Sequence, residues 1–122
     1  MKQLSGMDIC RWVHTYGELI KTSRINQIYR QGINQLCFAL HTKEGKRFLV
    51  IIPPTCVLLT EKKPMTDHKE TGFGRWMRSN LKGAIINDIY QVGSERIIAL
   101  VLGKGTLYVE LFGKGNLVFV NT

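Results

Sequence analysis

The sequence predicts an α+β fold, a duplicated α-β-β-β-β unit forming a mainly antiparallel two-sheet sandwich with two helices. Three observations carry this. The segment Ile25 to Leu36, INQIYRQGINQL, aligns with Ile86 to Ile97, INDIYQVGSERI, at an offset of 61 residues, and five of the twelve pairs are identical. Each copy opens with apolar residues at helical spacing. Each then continues as four short strand-like runs punctuated by glycine turns, which suits antiparallel meanders rather than helical crossovers.

In the first copy Ile9, Trp12, Val13, Tyr16, Leu19 and Ile20 recur at helical spacing behind Ser5, a good N-cap. Strands are expected at Arg24 to Tyr29, Leu36 to His41, Phe48 to Ile52 and Val57 to Glu61, with a tight turn at Lys43-Glu44-Gly45-Lys46. In the second copy Phe73, Trp76, Met77 and Leu81 mark the helix, and Gly83 stops it. Its strands are expected at Ile85 to Tyr90, Arg96 to Leu102, Thr106 to Phe112 and Leu117 to Val120, separated by Gly103-Lys104-Gly105 and Gly113-Lys114-Gly115. Arg11-Trp12 answers Arg75-Trp76 at an offset of 64, which places three extra residues between helix and strand in the first copy. Cys56 to Thr60 answers Asn116 to Val120. The repeats, 5–61 and 72–122, are joined by a polar loop, 62–71. One helix and one meander would leave a sheet face bare, so residues 1–122 are read as a single domain.

Composition narrows the class. A chain of 122 residues, 44% hydrophobic and 21% charged, is long enough for one core. No apolar run approaches the roughly 20 residues of a membrane helix, and the N-terminus lacks the regions of a signal peptide, so no membrane partner and a cytoplasmic location are expected. Cys10, Cys37 and Cys56 show no CxxC spacing and read as buried free thiols; His14, His41 and His68 stand apart, so neither a metal nor a cofactor is expected. Seventeen Lys and Arg against nine Asp and Glu give a net charge of +8, which favours a polyanionic partner.

The order and spacing of several short pieces resemble the N-terminal region of the NFACT family, historically labelled fibronectin-binding protein A. The pieces are Met7-Asp8-Ile9, Glu18-Leu19, Arg24-Ile25 before Ile28-Tyr29, Phe73 with Arg78 and Leu81-Lys82-Gly83, Glu95-Arg96-Ile97, and Glu110-Leu111 followed by Gly115-Asn116-Leu117. The resemblance spans essentially the whole chain. It implies binding to transfer RNA and to the large ribosomal subunit in ribosome-associated quality control. It also implies that this is a piece of a longer chain, since family members continue into further domains. The family's N-terminal domain is similar in fold to that of formamidopyrimidine-DNA glycosylases, which use an N-terminal proline amine and an adjacent glutamate. Here Lys2 and Gln3 follow Met1, so both groups of that chemistry are missing and no catalytic residue is expected.

The family carries an Asp-Arg pair, implicated in transfer-RNA recognition, where this sequence has Glu95-Arg96. The first copy has neutral Asn34-Gln35 at the matching positions, although Ile, Asn, Ile, Tyr and Gly around them are shared. An arginine there can make a bidentate contact to a phosphate or a guanine edge, and a carboxylate can hold it or accept from an exocyclic amine. Arg75, Arg78 and Lys82 recur at three- and four-residue steps, a cationic helix face that can track phosphates, and Arg11 repeats the first of them. Trp12 and Trp76 read as core, and Tyr29 and Tyr90 as a shared packing position. Lys104 and Lys114 sit in Gly-Lys-Gly turns whose backbone can approach an anion closely; hairpin turns explain them equally well, and neither follows P-loop spacing.

The expectation is therefore a non-enzymatic RNA- and ribosome-binding module that uses Glu95, Arg96, Arg75, Arg78, Lys82 and Arg11. The alternatives are a fibronectin- or fibrinogen-binding type of protein-interaction module and a catalytically inactive, glycosylase-like nucleic-acid binder. Self-association through an uncovered sheet face is a further expectation.

Overall fold

Ser5 begins the first helix with a reciprocal capping box: its hydroxyl accepts from the Asp8 amide at 3.1 Å, and Asp8 Oδ2 accepts from the Ser5 amide at 3.0 Å. In the computed structural model, which describes residues 4–30, 35–64 and 72–121, this helix is α1 (Gly6–Ile20). It is followed by β1 (Arg24–Arg30), β2 (Leu36–Thr42), β3 (Gly45–Ile52) and β4 (Cys56–Thr60). The second copy repeats the order with α2 (Gly72–Leu81), β5 (Ile86–Gln91), β6 (Ile97–Leu102), β7 (Gly105–Glu110) and β8 (Asn116–Asn121). Each copy supplies one four-stranded antiparallel sheet, in the orders β1-β2-β3-β4 and β5-β6-β7-β8. Period-two alternation sends Ile28, Phe38 and Leu49 of the first sheet and Ile89, Leu100 and Leu107 of the second into one shared core with Ile9, Ile20, Met77 and Leu81 of the helices.

The copies are exchanged rather than stacked. α1 packs on β5 and α2 on β1, so each helix covers the opening strand of the other copy. Between them runs a symmetric set of hydrogen bonds. Thr22 N donates to Ile86 O and Gly83 N to Ile25 O, both at 2.7 Å, while Ile25 N donates to Ala84 O at 2.8 Å and Ile86 N to Ser23 O at 2.9 Å. Each pair is related by the same 61-residue offset. β1 and β5 even share a bulge, between Ile25 and Gln27 and between Ile86 and Asp88.

This symmetry corrects the expected alignment of the helices. Ser23 N donates to Ile20 O and Ala84 N to Leu81 O, so the helix ends are equivalent at the 61-residue offset and no extra residues separate helix from strand in the first copy. Arg11-Trp12 and Arg75-Trp76 therefore do not correspond. Trp12 packs on the core and against Tyr16, while Trp76 sits at the surface with its ring 5.0 Å from that of Phe119. Cys10 is exposed, against expectation, because it falls on the outer side of α1 next to buried Ile9; Cys37 and Cys56 are buried as free thiols. Tyr29 and Tyr90 also part company, Tyr29 being half-buried and Tyr90 41% exposed. Of the connecting loop, only Lys62 to Pro64 lies within the described residues.

One end of the sandwich gathers four chain segments. Leu4 N donates to Thr55 O, tying the N-terminal approach to the β3-β4 turn. Gly115 (φ +76) lies against the same turn so closely that a Cβ would stand 2.6 Å from Pro53 C, so only glycine fits there. Leu111 N donates to Arg96 O at 2.7 Å and joins the β5-β6 turn to the same end. Among the described residues no helix is long and apolar enough to cross a membrane.

Candidate nucleic-acid interface

Across the first hairpin Arg30 pairs with Leu36; across the second, Gln91 pairs with Ile98. The β5-β6 turn is therefore one residue longer than its counterpart, and this longer turn carries Glu95 and Arg96. Arg96 lies in the turn rather than at the start of a strand, which begins at Ile97. The asymmetry between the copies is thus one of length as well as charge.

The turn is tied down on three sides. Glu95 N donates to Val92 O and Val92 N to Ile97 O, both at 3.0 Å, which closes it locally. The Gln91 carboxamide then reaches across it: Nε2 donates to Glu95 O at 2.7 Å and to Gly6 O at 2.9 Å, strapping the turn to the first residue of α1. At Gly6 the approach is tight, for a Cβ would stand 2.7 Å from Ser94 O. With its backbone held at both ends, the Arg96 guanidinium and the exposed Glu95 carboxylate project from a fixed base, which lowers the ordering cost of a contact.

These residues line an open cleft together with Ser5, Gly6, Ser94 and Phe112. The N-terminal end of α1 forms one wall, with Asp8 engaged on the Ser5 amide. Phe112 is 39% exposed, so an apolar ring borders the charged pair. Arginine beside a carboxylate and an aromatic ring is a combination suited to a phosphate, a base edge or a carboxylate-bearing peptide.

The other predicted cations lie elsewhere. Arg78 does not serve an open helix face: its Nε and Nη2 both donate to Ile28 O, at 3.3 and 3.2 Å, and so fasten α2 onto β1. Its equivalent in α1 is Gly17, where a Cβ would sit 3.5 Å from Ile89 Cγ2. A small residue lets α1 lie directly on β5, whereas α2 uses a long donor to bridge to β1. Arg75 and Arg11 are exposed on their helices, with Arg11 Nη2 3.8 Å from Met7 Sδ. Lys82 is exposed beyond α2 and shares a second shallow cleft with Asn87, Gly103 and Lys104. The cleft at Glu95 and Arg96 is lined by none of these four.

Sequence reasoning had missed Gln91, Gly6 and Phe112. Two of them left a signal: Gln91 stands where the first copy has Arg30, and Gly6 directly follows the N-cap, an unusual place to spend helix propensity. Among the described residues no three His, Cys, Asp or Glu side chains gather into a metal-binding group.

The profile of the NFACT N-terminal and middle domains matches residues 5–122. The chain belongs to this family. Curated proteins give no match. Among solved structures, the N-terminal domain of fibronectin-binding protein PavA from Streptococcus pneumoniae is similar at 22% identity and a TM-score of 0.89, over 98% of this chain and 52% of that one. The N-terminal part of a fibronectin/fibrinogen-binding protein from Streptococcus suis follows at 21% identity and 0.89, over 98% and 50%. A fibrinogen-binding protein from Staphylococcus aureus has 25% identity and 0.79, over 96% and 46%. This NFACT chain thus spans about half the length of the structures it matches, which share its sandwich fold.

Proposed function

We propose that this NFACT chain is an RNA-contacting module of a ribosome quality-control protein, and that Glu95 and Arg96 contact transfer RNA at the large ribosomal subunit. The observation that carries the reading is the strapped turn. A charged pair held by Gln91 on the start of α1, in a turn one residue longer than its neutral duplicate, is built for a contact that the first copy does not make. Arg96 supplies a fork of donors to phosphate or guanine, and Glu95 accepts from an exocyclic amine or steadies the guanidinium. Exposed Arg11, Arg75 and Lys82 add phosphate attraction to a chain of net charge +8, while Arg78 acts by holding α2 in place. The module binds and carries out no catalytic step.

A second reading, a protein-binding module, draws on the solved neighbours, which are named as fibronectin- or fibrinogen-binding proteins. Salt separates the two. Transfer-RNA binding measured at about 50 and 200 mM salt should weaken steeply for the native chain, and Arg96→Ala should lower low-salt affinity about tenfold and flatten the salt slope. Arg96→Lys, which keeps the charge but loses the fork, should fall between them. Affinity and slope unchanged in Arg96→Ala would remove the pair from the interface; salt-insensitive binding to fibronectin would favour the second reading.

A further inference from the structure

The outer faces of the two sheets are built on matching rows of cross-strand neighbours. On the first, Tyr29, Cys37, Val50 and Leu58 form one row and Gln27, Ala39, Phe48 and Thr60 the next. On the second, the rows read Tyr90, Ala99, Tyr108 and Val118, then Asp88, Val101, Thr106 and Val120.

The first face is covered. Cys37, Ala39, Phe48 and Val50 form a separate buried cluster with Tyr29 and Ile52. Lys63, three residues past the end of β4, holds its ammonium 4.2 Å from the centroid of the Tyr29 ring, on the opposite edge of the sheet. Three strand spacings of about 4.8 Å separate β4 from β1, so the chain leaving β4 and the long Lys63 side chain together reach over the outer side of the sheet to Tyr29.

Among the described residues the second face has no such strap, and Tyr90 and Val120 are 41% and 51% exposed. Its charge is also inverted. β5 to β8 carry Asp88 and Glu110 and not one lysine or arginine, in a chain that has seventeen of them. Desolvation first, then the bonded Tyr108 hydroxyl and the Asp88 carboxylate, push the Tyr90 phenol up.

We propose that this face docks an extended polypeptide segment bearing lysine or arginine, one cation of which reaches over β5 as Lys63 reaches over β1. A cation of the segment sits over Tyr90, in the row flanked by Asp88 and Glu110. The carboxylates that attract such a segment repel phosphate, so this surface is distinct from the cleft at Arg96.

The test uses the 122-residue protein and a peptide copying its own strap, Leu59 to Pro64, with a second peptide in which Lys63 is replaced by glutamate. Amide shifts on titration should map to the outer positions of β5 to β8. Affinity should fall about tenfold or more for the glutamate peptide, for Tyr90→Leu and for the Asp88→Asn/Glu110→Gln double variant. Arg96→Ala should leave peptide binding unchanged, so failure here is distinguishable from failure of the RNA reading. Absence of a saturable shift, shifts mapping elsewhere, or equal affinity for both peptides would overturn the proposal. So would sedimentation showing the face filled by a second copy of the chain.

Discussion

The first sheet carries Arg24, Arg30, Lys46 and Arg47 on its strands and no carboxylate, whereas the second carries Asp88 and Glu110 and no cation. Both nevertheless keep the same strand order, the same bulge and a symmetric set of hydrogen bonds at their junction. What the copies share lies where they meet: the buried rows, the helix ends and the bulged strands. What separates them lies where they face outward: strand charge, the cover over the outer face, and the length of the turn between the first two strands. Packing holds the shared frame, because a change there is felt by both halves, while the outer surface is free to differ.

If the copies share one core, damage to equivalent buried positions must act on one transition. Phe38→Ala should cost about 3–5 kcal/mol and its counterpart Leu100→Ala about 2–5 kcal/mol, each shifting a single denaturant transition. Coincident curves from circular dichroism and tryptophan fluorescence would check this; two separable transitions would break the picture of exchanged halves.

Cover over the outer faces gives the next largest effect. Burial pushes the Cys37 thiol up to about 11 from 9.0, with Lys63 opposing, whereas Ala99 occupies the matching place in the second sheet. A raised pKa stabilises the folded protein fully below pH 9 and loses that contribution as pH rises toward 11, roughly 2–3 kcal/mol in all. The stability difference between native protein and Cys37→Ala, followed across that window, should shrink accordingly. A constant difference would show that the thiol is not covered.

The two helix seats should answer oppositely to substitution. Arg78→Ala removes two donors to the Ile28 carbonyl and should cost about 1–2 kcal/mol. Gly17→Ala meets Ile89 and Val13 at ordinary contact distances and should raise stability by up to about 1 kcal/mol. Smaller still is the contrast at the helix ends, where Thr22 (φ 72) occupies the left-handed position that Gly83 (φ 88) fills in the second copy. Thr22→Gly should gain, and Gly83→Ala lose, a little under about 1 kcal/mol in thermal or chemical unfolding.

Much of this frame was legible in the residues. Alternation and glycine turns placed all eight strands within a few residues, and Ser5 and Gly83 marked a helix start and a helix stop, because those signals are local. The helix register was misread because a repeated Arg-Trp pair carried more weight in the alignment than the junction hydrogen bonds, which no sequence displays. The longer β5-β6 turn stayed hidden in an ungapped alignment, since its length is set by which residues pair across the strands. Arg78 looked like one cation of three on a helix face; its acceptor, Ile28 O, lies 50 residues away in sequence. Of the candidate site, Glu95 and Arg96 were readable from charge and resemblance, and the strap from Gln91 to Gly6 was not, because it joins residues 85 apart.

Two arginines divide the proposed work, Arg96 for contact and Arg78 for support, and one paired measurement tests that division. Transfer-RNA affinity at about 50 mM salt would be determined for Arg96→Ala and Arg78→Ala, each well below its unfolding midpoint, beside their stabilities. The expected result is an affinity about tenfold lower with native stability for Arg96→Ala, and native affinity with lowered stability for Arg78→Ala. Native affinity in Arg96→Ala, or its loss in a folded Arg78→Ala, would contradict the assignment of the strapped turn as the RNA contact.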